Sequence, residues 1–208
     1  MFNQKIQDWF IKNKWEPHSY QLELFKKIDK INNALILAPT GSGKTLAGFL
    51  PSINEMIVNP KQGLNTLYIS PLKALANDIE RNLSKPIKEM GLNIRLETRT
   101  GDTKQSKKNN QKHDPPNFLM TTPESFILML SWESASIFFQ NLRYLIIDEI
   151  HTLVNDKRGD LLSLGISRLC HINKKIKKIG LSATVSEPNL ILNWLNSGNQ
   201  PNVKSSII

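Results

Sequence analysis

With 208 residues, 39% of them hydrophobic, the chain can bury the core of one large domain. Its 27 Lys and Arg against 18 Asp and Glu leave a net charge of +9, which favours a polyanionic partner, nucleic acid ahead of an anionic membrane. Cys170 is the one cysteine, which excludes an internal disulfide or a cysteine-based zinc cluster. No uncharged apolar run reaches signal-peptide or bilayer-spanning length, so the chain reads as cytoplasmic with no membrane partner.

Residues 3–31 read as helical, with Trp9, Phe10, Leu22, Leu24, Phe25 and Ile28 as apolar anchors. Ala34-Leu-Ile-Leu-Ala38 then reads as a buried strand running into a tight Pro-Thr-Gly turn. Similar strands are expected at Thr66–Ser70, Asn117–Thr121, Tyr144–Asp148 and Lys178–Ser182. Helices are expected between them, at about 44–58, 72–90, 123–131, 159–171 and 187–196, with Pro51 kinking or shortening the first. The polar, Lys- and Asn-rich stretch Gly101–Asn117 reads as a solvated loop. The basic clusters Lys104–Lys112 and Lys174–Lys178 read as solvated faces, with nucleic-acid contact as the alternative. Cys170 reads as a small buried hydrophobe. Strands that are continuously apolar rather than alternating indicate a sheet covered on both faces, so the fold class is α/β, a mainly parallel sheet flanked by helices on both sides. The expected organisation is an N-terminal helical segment (1–32) within the same domain, an α/β body (33–197), and a linker or tail (198–208).

Ala38-Pro-Thr-Gly-Ser-Gly-Lys-Thr45 follows a strand and opens a helix, the context that turns such a pattern into a phosphate-binding loop. Thr40, Gly41, Ser42 and Gly43 would curl so that backbone N–H groups face an anion at the helix N-terminus. Lys44 would reach the β- and γ-phosphates of ATP, and the Thr45 hydroxyl would ligate magnesium. The acidic half of the site is expected where the strand Tyr144-Leu-Ile-Ile ends in Asp148-Glu149. Asp148 would hold magnesium through water, and Glu149 would polarise the attacking water.

Asp148-Glu149-Ile150-His151 with Ser182-Ala183-Thr184 resembles the DExH box and motif III of superfamily 2 helicases. Trp15-Glu-Pro-His-Ser-Tyr-Gln21 is similar to the Q-motif region, Ser70-Pro71-Leu-Lys73-Ala-Leu75 to motif Ia, and Thr121-Thr122-Pro123-Glu124-Ser125 to motif Ib. With Thr100-Gly101-Asp102, Lys157-Arg158-Gly159 and Gly180–Val185, the set most resembles the large helicase-related (Lhr-like) family over residues from about 9 to 195. DEAD-box RNA helicases would show Ala-Asp after Asp-Glu, and this chain does not. The resemblance implies a RecA-like P-loop NTPase fold.

The resemblance also implies that Gln21 reads adenine, with Phe10 or Trp15 stacking on the base, and that His151 couples the ATP site to Ser182, Ala183 and Thr184 rather than binding a metal. It further implies that Ser70, Pro71, Lys73, Thr100, Gly101, Asp102, Thr122, Pro123 and Glu124 line a nucleic-acid groove of sugar and phosphate contacts, with Arg158 coupling that groove to ATP. The partner is single- or double-stranded nucleic acid, DNA favoured. In the family, ATP is hydrolysed between two RecA-like domains, the second supplying arginines worth roughly 10³–10⁵ in rate in related NTPases. No Gln-x-x-Gly-Arg-x-x-Arg-like segment follows Trp194, so the chain is expected to be part of a longer protein, turning ATP over slowly and not unwinding alone.

Other readings compete: an RNA-directed DExH helicase, a non-catalytic module gripping nucleic acid or a partner protein, and a P-loop nucleotide kinase. The joint presence of Lys44, Thr45, Asp148 and Glu149 argues against the non-catalytic module. Ser182-Ala-Thr184 and the Ia and Ib words argue against the kinase.

Overall fold

The computed structural model describes residues 2–39, 41–196 and 203–208; the expectations placed on Thr40 and on residues 197–202 lie outside the described residues. Two short helices open the chain, α1 (Gln4–Lys12) and α2 (Ser19–Lys27). α1 is capped by the Asn3 side chain, which accepts the Lys5 N–H, and it buries Ile6, Trp9 and Phe10. Strand and helix then alternate through β1 (Asn33–Leu37), α3 (Lys44–Val58), β2 (Thr66–Ile69), α4 (Lys73–Glu89), β3 (Leu96–Arg99) and α5 (Gln105–His113). There follow β4 (Phe118–Thr121), α6 (Pro123–Leu130), α7 (Ala135–Phe138), β5 (Tyr144–Ile147), a 3-10 turn (Ile150–Thr152), α8 (Lys157–Ile172), β6 (Lys177–Ser182), α9 (Pro188–Asn196) and β7 (Ser205–Ile207).

Among the described residues the strands form one seven-stranded parallel sheet, in the order β3-β4-β2-β5-β6-β1-β7. Alternate strand residues feed two separate cores. Ile36, Tyr68, Ile146 and Leu181 pack with α1–α4 on one face, while Leu35, Leu67, Ile69, Leu145 and Ile147 pack with α6–α9 on the other. Burial on both faces is why these strands are apolar at every position. The register aligns Arg99, Thr121, Ile69 and Ile147 in one row. The residues just beyond that row, Thr100, Thr122, Ser70 and Asp148, therefore all emerge along the carboxyl edge of the sheet, where open α/β sheets place their ligands.

Several expectations are corrected. The Gly101–Asn117 stretch is not a loop throughout, because α5 occupies Gln105–His113. That helix is fastened by polar bonds rather than an apolar stripe. Gln111 is buried and donates to Glu97 Oε2 (2.8 Å) and the Thr98 carbonyl (3.2 Å), while Arg99 donates to the Lys108 carbonyl (2.8 Å). Residues 198–208 are not all tail, since β7 pairs in parallel with β1, and Leu37 N–H donates to the Ile208 carbonyl at 2.9 Å. The physical reason is the open edge of β1, whose backbone groups need partners. Pro51 does not shorten α3, which continues to Val58 because Phe49, Leu50 and Ile53 are buried on either side of it. Lys177 and Lys178 turn inward instead of joining a solvated face. Lys177 donates to the carbonyls of Ile28 and Ile31, and burial pushes the Lys178 amine down to about 8. Cys170 is half-buried. Among the described residues no helix is long and apolar enough to cross a membrane.

Gly159, in the first turn of α8, faces the backbone so closely that an added Cβ would lie 1.7 Å from the Leu153 carbonyl oxygen. Gly159→Ala is therefore expected to destabilise the fold by roughly 2–4 kcal/mol, read as a lowered midpoint in urea denaturation. An unchanged midpoint would show that the 3-10 turn can move away without cost.

Candidate nucleotide site and nucleic-acid edge

The strand β1 ends in a loop that only glycine can follow at two points, since Gly41 and Gly43 hold φ of +80° and +83°. The loop is braced from α2. The Tyr20 hydroxyl donates to the Ser42 carbonyl, and Gln21 Nε2 donates to the Gly43 carbonyl at 3.2 Å. Gln21 Oε1 accepts the His18 N–H at 2.9 Å, and the His18 and Tyr20 rings stack with centroids 5.4 Å apart. With its carbonyls held by these side chains, the loop presents the N-terminus of α3 to an anion.

Lys44, the first residue of α3, is 5% exposed, and its ammonium has no hydrogen-bond partner. Glu149 Oε1 lies 3.9 Å away, too far for a hydrogen bond. Glu149 thus pairs with it by charge alone, and a buried ammonium without hydrogen-bond acceptors is costly, so the cradle fits a polyphosphate. Asp148 directly follows β5, with Oδ1 accepting the Glu149 N–H at 2.9 Å and Oδ2 accepting the Tyr68 hydroxyl. Burial raises its carboxyl above the usual range, against the lowering effect of those hydrogen bonds. Glu149 sits in the left-handed region at φ +46°, a strain of about 1–2 kcal/mol. Its carbonyl accepts both the N–H and the hydroxyl of Thr152, at 2.9 and 2.8 Å. His151 Nδ1 lies 3.1 Å from Ser182 Oγ and 3.5 Å from Glu149 Oε2, which joins the ends of β5 and β6. Ala183 is half-buried and Thr184 exposed just beyond. Among the described residues no three His, Cys, Asp or Glu side chains converge as a metal site. A divalent ion here fits only as one shared with phosphate oxygens, the usual habit of magnesium.

Along the rest of the edge, Ser70 and Thr122 are buried, and Thr122 caps α6 by accepting the Ser125 N–H, with Pro123 following at the first turn. Lys73 Nζ is 2.8 Å from Asp102 Oδ1 and lies against Gly101, so the segment after β2 meets the turn after β3. Thr100 N–H closes that turn on Thr103 Oγ1 at 2.9 Å. Arg158 forks between two segments, donating from Nε to Glu124 Oε1 (2.7 Å) and from Nη2 to the Pro71 carbonyl (2.9 Å). Partial burial works to raise the Glu124 carboxyl, but the Arg158 hydrogen bond and charge outweigh it and hold it low. The expected residues thus fall into two groups on one edge: Gln21, Gly41–Thr45, Asp148, Glu149, His151 and Ser182 at one end, and Ser70–Lys73, Thr100–Asp102, Thr122–Glu124 and Arg158 at the other. Motif reading gave no role to His18 and Tyr20, which lie inside the Q-motif-like stretch and touch the loop, and it missed Tyr68, which touches Asp148 from a strand outside any recognised word. Phe10 is 5% exposed within the α1 core, whereas Trp15 is 54% exposed and borders a cavity of about 230 Å³ that Thr45 also lines.

A strand-to-helix phosphate loop facing a strand-end carboxylate pair on a parallel sheet defines a P-loop NTPase domain. The DEAD/DEAH box helicase family profile matches residues 18–191, and the chain belongs to that family. It is 43% identical over 199 residues to the ATP-dependent helicase Lhr-Core of Methanocaldococcus jannaschii, a match spanning 86% of this chain and 23% of that protein. It is 34% identical to the Lhr helicase/uracil glycosylase of Escherichia coli strain K12, over 97% of this chain and 14% of that one. The structure of Mycobacterium smegmatis helicase Lhr bound to ssDNA and AMP-PNP superposes with a TM-score of 0.90 at 37% identity, covering all of this chain and 27% of the other. The fold is therefore RecA-like, and the chain spans about a quarter or less of the length of these relatives.

Arg158→Ala, which removes the fork between Pro71 and Glu124, is expected to leave nucleotide affinity unchanged and to weaken single-stranded DNA binding about tenfold. Fluorescence anisotropy of a labelled oligonucleotide checks this; unchanged DNA affinity would reduce the fork to a packing contact.

Proposed function

We propose that this chain is the ATP-binding motor domain of an ATP-dependent helicase or translocase, acting on DNA in preference to RNA when joined to a second RecA-like domain. The observation that carries this reading is the buried Lys44 ammonium, without a hydrogen-bond acceptor, between the phosphate loop and Glu149. Lys44 would hold the β- and γ-phosphates. Thr45 and Asp148 would hold magnesium, which when bound neutralises phosphate charge and polarises the transferring group. Glu149 would orient the attacking water and accept its proton. His151, between Glu149 and Ser182, would carry the state of that carboxylate to the end of β6.

Gln21 has one N–H and one lone pair engaged by the protein, which leaves its second N–H and second lone pair for the adenine edge. Trp15 is the aromatic placed to stack on the base, because it is exposed beside Thr45 whereas Phe10 is buried. Ser70, Lys73, Thr122 and the N-terminus of α6 would grip sugar and phosphate without reading bases. DNA is favoured because the similar Mycobacterium smegmatis structure was bound to ssDNA. The cytoplasm is the expected compartment.

Titrating a fluorescent ATP analogue with magnesium into wild type and Lys44→Ala tests the reading, with and without single-stranded DNA. The mutant is expected to lose at least about tenfold in affinity, since it removes a charge-assisted contact from a buried site. Equal binding by both proteins would place the nucleotide elsewhere and return the chain to a binding module.

A further inference from the structure

Tyr68 lies in β2 with its ring fully buried and stacked on Phe49, centroids 5.5 Å apart. A phenylalanine would fill the same space, so the hydroxyl is what packing does not explain. That hydroxyl donates to Asp148 Oδ2, and the Ser70 side chain is near enough to interact with the phenol electrostatically. Ser70 Oγ in turn accepts the Leu72 N–H at 3.4 Å, immediately before α4 and Lys73. Polar groups thus neighbour one another from the start of α4 through Ser70, just beyond β2, to Tyr68 and the Asp148 carboxylate. The other Asp148 oxygen is pinned by the Glu149 N–H at 2.9 Å. With one protein donor on each oxygen, the carboxylate plane is fixed while a lone pair on each remains for the water shell of a metal.

We propose that Tyr68 is a positioning residue that orients the Asp148 carboxylate toward magnesium and ties that carboxylate to the Ser70–Lys73 segment of the nucleic-acid edge. The inference rests on the motor reading above. It makes β2 the mechanical link between the two ends of the carboxyl edge: its buried middle holds the metal-site carboxylate, and its end becomes the nucleic-acid contact. Groups that orient a ligating carboxylate typically cost 10–100-fold in metal affinity when removed.

The test uses the 208-residue chain and a fluorescent ATP analogue, with magnesium as the varied component. In Tyr68→Phe, the magnesium concentration giving half-maximal tightening of the analogue is expected to rise about tenfold, while affinity in EDTA stays at the wild-type value. Ser70→Ala is expected to move the midpoint in the same direction by a smaller factor. Electron paramagnetic resonance of bound Mn²⁺ should show the matching loss of metal affinity. A wild-type midpoint in Tyr68→Phe overturns the proposal. If thermal melts show Tyr68→Phe unfolded at the assay temperature, Ser70→Ala decides, and an unshifted midpoint there overturns it. Lys44→Ala separates the two levels: wild-type nucleotide binding in that variant defeats the motor reading, whereas its loss beside an unshifted Tyr68→Phe defeats only the role of Tyr68.

Discussion

The Lys44 ammonium is buried at the first turn of α3, and its nearest carboxylate oxygen lies 3.9 Å away on Glu149. Glu149 supplies charge at that distance but no hydrogen bond, which a buried ammonium also needs, and the surrounding residues are arranged as though the acceptors are brought in from outside. The loop glycines turn the backbone so that the α3 N-terminus faces the same point. Tyr20 and Gln21 draw the Ser42 and Gly43 carbonyls to α2. The strain at Glu149 keeps its side chain near the same cation. Each feature costs stability or conformational freedom alone, and together they make a site that a polyphosphate completes.

The parallel sheet makes this constraint communicable. Asp148, Ser70, Thr122 and Thr100 leave the same edge because the register aligns the row that precedes them. Arg158 from α8 reaches both Pro71 and Glu124, and His151 bridges Glu149 and Ser182. These side-chain links cross between adjacent loops at a distance of one bond, so a change at the phosphates need not travel through the core to be felt along the edge.

Much of this was legible in the sequence for two physical reasons. A phosphate cradle needs glycines at positive φ beside a lysine, and a sheet covered on both faces needs apolar strands; both requirements leave an unambiguous residue pattern. The strands around Leu35, Tyr68, Met120, Ile146 and Leu181 and the loop ending in Thr45 were found on that basis. What escaped the reading is held by polar bonds rather than by an apolar pattern. α5 has no apolar stripe and depends on buried Gln111. β3 carries Glu97 and Arg99, residues that depress strand expectation. The bond from the Tyr68 hydroxyl to Asp148 is invisible in the sequence because one hydroxyl on an apolar strand looks like a packing residue. Lys177 and Lys178 misled for the opposite reason, since a run of lysines suggests solvent while a strand of a sheet covered on both faces buries consecutive residues on opposite sides.

β7 carries a consequence for how the molecule is made. β1, which delivers the phosphate loop, pairs with β6 on one side and with β7 on the other. Both partners lie more than a hundred residues further along the chain. A ribosome therefore releases the loop-bearing strand long before either neighbour exists, and β1 must remain unpaired or sheltered by α2 and α3 until β6 and β7 have emerged. Such late, long-range closure slows folding and leaves an adhesive backbone edge open in the interim. The strand that creates the nucleotide site thus gains its second neighbour only when β7 emerges.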